Sequence, residues 1–228
     1  MDCMNPQFFG DRHDLFKYDL IFTIMDRMSH DLSSFTFIPM LTKNRLPKTS
    51  NIAGTGNSQL QVVFNTLFGD GAARVYFEGI RQYFISGGIR THIVNQRFSQ
   101  SHRQQYFDRV RTRLPTNSLI FLDPDTGLKE KNATEKHLRY SELIDMYNKL
   151  DASSILMVYQ HHNRYRMKTQ NFPEFIADTV ERNIGERPVY IDDTTIMFLF
   201  LVKNTQLKEN LEGILKDYKK KYSGSFNT

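Results

Sequence analysis

Two short stretches of this chain are apolar almost without interruption: Ser118–Leu122, SLIFL, and Ile155–Tyr159, ILMVY. A strand with one wet face alternates apolar and polar residues, whereas a strand covered on both faces does not need to. Runs this short, set between polar segments, predict neighbouring strands of a sheet with helices on both sides.

The rest of the chain supplies the covering layers. From Arg12 to Asp31, apolar residues from Leu15 to Met28 recur at helical spacing. Helices are also predicted over Ala72–Ile85, Gln100–Leu114, Tyr140–Leu150, Phe172–Ile184 and Gln206–Tyr222. Ser34–Leu41, SFTFIPML, and Thr91–Asn95 read as strands, and Leu60–Phe68 fits strand or helix equally. Val189–Asp192 and Thr195–Lys203 are strands separated by Asp193-Thr194, a hairpin-length gap. Asp123–Lys136 reads as a loop. Thr42–Asn57 is a loop of unusual length. Its Gly54 and Gly56 lack the spacing and the strand–helix setting of a phosphate-binding turn.

Composition narrows the class. At 228 residues, the chain is expected to form one α/β domain spanning 1–228, with a long loop insertion at about 42–58. A single cysteine, Cys3, excludes an internal disulfide framework and a multi-cysteine zinc site. The longest purely apolar run, Ile196–Val202, is far shorter than the roughly 20 residues that span a bilayer. No leader pattern opens the sequence, so the expected setting is cytoplasmic, without membrane association. The net charge of +5 hints at an anionic partner.

Alternating strands and helices imply a Rossmann-like, mostly parallel sheet with helices on both faces. The closing strand–turn–strand adds a C-terminal antiparallel hairpin. That order matches the class I S-adenosylmethionine-dependent methyltransferase architecture. Ligands of open α/β sheets bind outside the carboxyl ends of the strands. Here those ends carry Asp123-Pro124-Asp125-Thr126-Gly127 and Gln160-His161-His162-Asn163-Arg164.

Three constellations carry candidate chemistry. Asp123 and Asp125, two residues apart, suit metal binding or mutual pKa tuning, though Asp-Pro and Thr-Gly also simply build turns. His161 and His162 sit among polar neighbours, and adjacent strand residues point to opposite faces. Gly10–Tyr18, GDRHDLFKY, opens the first helix, where Asp11 is a fair N-cap and Arg12, His13 and Lys17 could hold an anion. A basic set on the Gln100–Leu114 helix, with Arg103 and Tyr106 and then Arg109 and Arg113 at helical spacing, suggests a nucleic-acid face. Arg164 and Arg166 add positive charge just beyond the histidines.

Gly10-x-x-x-Asp14-Leu15-Phe16-Lys17-Tyr18 resembles the N-terminal motif of the RlmJ-type ribosomal RNA adenine-N6 methyltransferases. Asp123-Pro124-Asp125-Thr126 falls where that family has Asp-Pro-Pro-Tyr. Element order extends the resemblance over about two-thirds of the chain, while motif agreement covers about fifteen residues. The resemblance implies S-adenosylmethionine as cofactor, with Asp14 and Lys17 on its side of the site and Asp123 as the catalytic acid position; His13, beside them at the helix start, is a further cofactor-side candidate. This sequence departs from the family at Asp125 and Thr126, which remove the stacking aromatic. The first predicted strand also ends Phe37-Ile38-Pro39-Met40-Leu41-Thr42, with neither acid nor glycine.

The leading expectation is a methyltransferase-like enzyme acting on nucleic acid or a nucleotide, with Asp123, Asp125 and His161 as catalytic residues. A nucleic-acid contact set of Arg103, Arg109, Arg113, Arg164 and Arg166 accompanies it. A second expectation is metal-dependent hydrolysis, with Asp123, Asp125, His161 and His162 holding Mg²⁺, Mn²⁺ or Zn²⁺. A third is a non-catalytic protein that binds nucleic acid or a protein partner.

Overall fold

A computed structural model describes residues 12–40, 73–94, 96–162, 171–193 and 195–222. The chain runs α1 (Arg12–Arg27), β1 (Ser34–Pro39), α2 (Ala73–Ser86), β2 (Thr91–Ile93), a 3₁₀ turn (Gln100–His102) and α3 (Arg103–Arg111). Next come β3 (Ser118–Asp123), β4 (Gly127–Leu128), β5 (His137–Leu138), α4 (Tyr140–Lys149) and β6 (Ile155–His161). The last elements are α5 (Phe172–Ile184), β7 (Val189–Asp192), β8 (Ile196–Val202) and α6 (Thr205–Tyr222). The predicted long loop and Leu60–Phe68 lie outside the described residues, as do Arg164 and Arg166.

Among the described residues, a six-stranded sheet has the order β2-β1-β3-β6-β8-β7. β2, β1, β3 and β6 are mutually parallel. β8 runs antiparallel to both β6 and β7, because the hairpin folds its second strand back into the gap beside β6. This is a class I methyltransferase-like fold: a mostly parallel sheet closed by an antiparallel hairpin, with helices around it.

The continuous apolar strands behave as their composition requires. Leu119 and Phe121 of β3 join Phe35 and Phe37 of β1 in one core beneath α1, α2 and α6. Ile120 and Leu122 face a second core with Ile38, beneath α3, α4 and α5. β8, IMFLFLV, is buried at every position, which suits a strand with neighbours on both edges and cores on both faces. Among the described residues, no helix is long and apolar enough to cross a membrane.

Two departures from the sequence reading bear on the site and the hairpin. The predicted loop Asp123–Lys136 contains β4, which pairs in parallel with β5 as a separate small sheet. β8 begins at Ile196, because Asp193 Oδ1 accepts hydrogen bonds from the backbone N–H groups of Thr195 and Ile196, at 2.6 and 2.7 Å, and holds Thr195 in the turn.

Candidate functional site

The carboxyl ends of β1 and β3 lie side by side, with Pro39 in register with Asp123. Asp123 shares the face of Leu119 and Phe121, so its carboxylate points toward α1. There Lys17 Nζ donates to Asp123 Oδ2 at 2.8 Å. The same ammonium lies 2.6 Å from Asp14 Oδ1, one helical turn away on α1. All three residues are buried. Lys17 is also enclosed by aromatic rings, 4.8 Å from the Tyr18 centroid and 5.7 Å from those of Phe37 and Phe121. A cation over ring faces in a desolvated setting is stabilised by the ring quadrupole.

Burial and charge compete within this group. Burial by itself would lower the Lys17 pKa, but the Asp123 and Asp14 carboxylates outweigh it and hold the ammonium well above its ordinary range. Burial pushes the Asp123 carboxyl up to about 6. Lys17 pulls against that rise, while the like charges of Asp14 and Asp125 add to it. Among the described residues, no donor is directed at Asp123 Oδ1, which leaves that atom for a hydrogen bond from a ligand.

Around this buried group the other candidates separate. His13 Nε2 lies 2.8 Å from Thr195 Oγ1, so it packs on the turn before β8. Asp125 is turned toward Lys136, 3.2 Å away. His161 Nδ1 lies 3.3 Å from the hydroxyl of Tyr159, on the α1 face of β6. His162 is buried on the opposite face, edge-on to Phe172 of α5.

The expected metal set is therefore corrected. Alternation along β6 sends the two histidines to opposite sides of the sheet. Among the described residues, no group of His, Cys, Asp or Glu side chains is gathered as a metal site, and all four proposed ligands are described. Asp123, Asp125, His161 and His162 do not converge.

The nucleic-acid reading of Arg103 is corrected as well. Its guanidinium is buried and forms a forked pair with Glu142 of α4, with Nη2 to Oε2 at 2.6 Å. It also donates to the carbonyls of Thr134 and His137, at 3.1 and 2.6 Å. The helical spacing with Tyr106 is that of an inward face: Tyr106 is buried, and its hydroxyl donates to the Pro39 carbonyl at 3.2 Å. Arg109 and Arg113 are exposed. Because α3 returns the chain between two parallel strands, they lie toward the amino ends of the sheet, away from Asp123.

One residue that organises the site was present in the sequence motif without an assigned role. Gln160 of β6 is buried and clamps the turn that follows Asp123. Its Oε1 accepts from Leu128 N at 2.7 Å, and its Nε2 donates to the carbonyls of His161 and Thr126 at 2.7 and 3.3 Å. Gly127 makes this possible: its φ is +107°, and a Cβ there would run into the Gln160 amide. The signal in the sequence was a lone glycine after Asp-Pro-Asp-Thr, with a polar residue ending an otherwise apolar strand.

No protein-family description and no curated protein matches the chain. Solved structures with a similar arrangement include human methyltransferase-like protein 13 in complex with SAH, with TM-score 0.42 and 11% identity over 88% of this chain and 90% of that one. An O-methyltransferase family protein from Burkholderia thailandensis gives TM-score 0.42 and 8% identity over 84% of this chain and 57% of that one. A putative methyltransferase from Thermobifida fusca YX gives 0.36 and 11% over 83% and 80%.

Proposed function

We propose that this chain is an S-adenosylmethionine-dependent methyltransferase that acts on an amino group of a nucleic acid or nucleotide. The observation that carries the reading is the Lys17–Asp123 pair. It joins the two segments on which the resemblance to the adenine-N6 methyltransferases rests, at the strand ends where this fold class binds ligands.

The residues present fit the cofactor by the chemistry of their donor set. Asp123 ends β3, and burial has raised its pKa, so a cationic ligand would favour its ionised form. Asp14 and Lys17 are the groups that would hold the cofactor. When bound, S-adenosylmethionine supplies an electrophilic methyl group on a sulfonium centre.

The chain's own part is orientation and proton handling. Lys17 fixes the Asp123 carboxylate through Oδ2, leaving Oδ1 to accept an N–H of the substrate amino group and aim its lone pair. With a pKa of about 6, Asp123 is mainly ionised at neutral pH and basic enough to hold a proton briefly. Gln160 and Gly127 keep the following turn in place.

Calorimetric titration with S-adenosylhomocysteine, alongside transfer of labelled methyl groups to RNA and to nucleotides, tests the proposal. Saturable binding, with transfer abolished in Asp123→Asn, is expected. Absence of binding by either form of the cofactor at millimolar concentration overturns it.

A further inference from the structure

A cleft of about 460 Å³ opens at the carboxyl end of β6, between the β4–β5 excursion and α5. Its volume is within the range of small-ligand sites. Nothing in the reading above assigns it a role, yet Thr126, in the turn that begins at Asp123, forms part of its wall.

The chemistry of the wall is divided. One part is cationic. Lys129 and Lys131 are exposed and line the cleft, and neither has a carboxylate partner among the described residues. Glu130 lies between them and also lines the cleft, but its carboxylate is engaged: it accepts from Ser141 N and Oγ at the start of α4, both at 3.2 Å. His137 records the same field: burial lowers its pKa, and the charges of Lys129, Arg103 and Lys136 lower it further. The other part is aromatic, formed by Tyr140, Phe172 and Phe175.

Rings beside two unpaired ammonium groups match a ligand that is itself part planar and part anionic. A bare phosphate would not use the rings, and an uncharged base or nucleoside would not use the lysines. We infer that this cleft binds a nucleotide unit, with its phosphate against Lys129 and Lys131 and its base against the aromatic wall. Base–aromatic stacking and ammonium–phosphate contacts are the usual means of holding such a unit. The inference rests on the reading of the chain as acting on nucleic acid or a nucleotide, and it names where part of that substrate is held. The unit comes either from a free nucleotide or from a single strand.

The test measures binding alone, without S-adenosylmethionine, so a failure of methyl transfer leaves its outcome untouched. AMP, adenosine and a six-nucleotide oligoadenylate are titrated against the full chain, Lys129→Glu/Lys131→Glu and Tyr140→Ala. The lysine variant should keep its melting temperature, since both side chains are exposed. It should bind AMP at least about tenfold more weakly and adenosine unchanged. Tyr140→Ala should weaken both. Tighter binding of the oligonucleotide than of AMP supports the site with a strand as the source. Equal binding supports it with a free nucleotide. No saturable binding of either, or equal AMP affinity in the lysine variant, overturns the inference.

Discussion

Lys17 Nζ lies 2.8 Å from Asp123 Oδ2 across a sequence separation of 106 residues. The pair connects the first helix to the end of a central strand, and both side chains are almost fully withdrawn from water. Removing one member of such a pair leaves a charge buried without compensation, which typically costs about 3–5 kcal/mol. Lys17→Met is therefore expected to destabilise the chain by about 3–5 kcal/mol in urea unfolding. Lys17→Met combined with Asp123→Leu should recover part of that loss, because it removes one of the two buried carboxylates that Lys17 neutralises. A Lys17→Met variant within about 0.5 kcal/mol of the parent, the range of an ordinary surface change, contradicts the buried pair.

The raised pKa of Asp123 makes stability depend on pH in a defined direction. Burial lifts it from the ordinary carboxylate range to about 6, so between about 4 and 6 the folded state binds more protons than the unfolded chain. The contribution of this group to stability is greatest below pH 4 and falls as pH rises toward 6. Melting curves of the parent and Asp123→Asn should show the parent losing ground to the variant over that interval. A difference that stays constant from pH 4 to 7 counts against the shift.

Arg103 was expected on a nucleic-acid face, but its contacts are those of a structural clamp between α3, α4 and the β4–β5 excursion. Arg103→Ala should cost about 3–5 kcal/mol by stranding Glu142. Arg113→Ala, at an exposed position, should stay within about 0.5 kcal/mol. Equal melting temperatures for the two variants would remove the distinction.

Gly127 and Gly185 both have positive φ, +107° and +82°. A Cβ at Gly185 meets open space, whereas one at Gly127 meets the Gln160 side chain. Gly185→Ala is thus expected to cost only the backbone strain, about 1–3 kcal/mol. Gly127→Ala should cost more, and the excess should shrink in a Gln160→Ala background. The thermodynamic cycle of these variants isolates the contact.

Much of the fold was legible in the chain itself. SLIFL and ILMVY were doubly covered neighbouring strands because nothing polar interrupts them, and Leu119/Phe121 against Ile120/Leu122 divides into two cores by simple alternation. The opposed directions of His161 and His162 followed from the same period of two. The site was legible only as separate pieces. Gly10–Tyr18 and Asp123-Pro124 each stood out, but a motif carries no distance to a partner far along the chain.

Tertiary structure decided the pairings. It joined Lys17 to Asp123, turned Asp125 toward Lys136 and placed Glu142 opposite Arg103. It also sent β8 in beside β6, which no local pattern specifies. Periodicity records which face of an element is dry, since burial acts on every residue of that face. Ion pairs and clamps depend on which two faces meet, and that is settled only when the sheet order brings distant segments together.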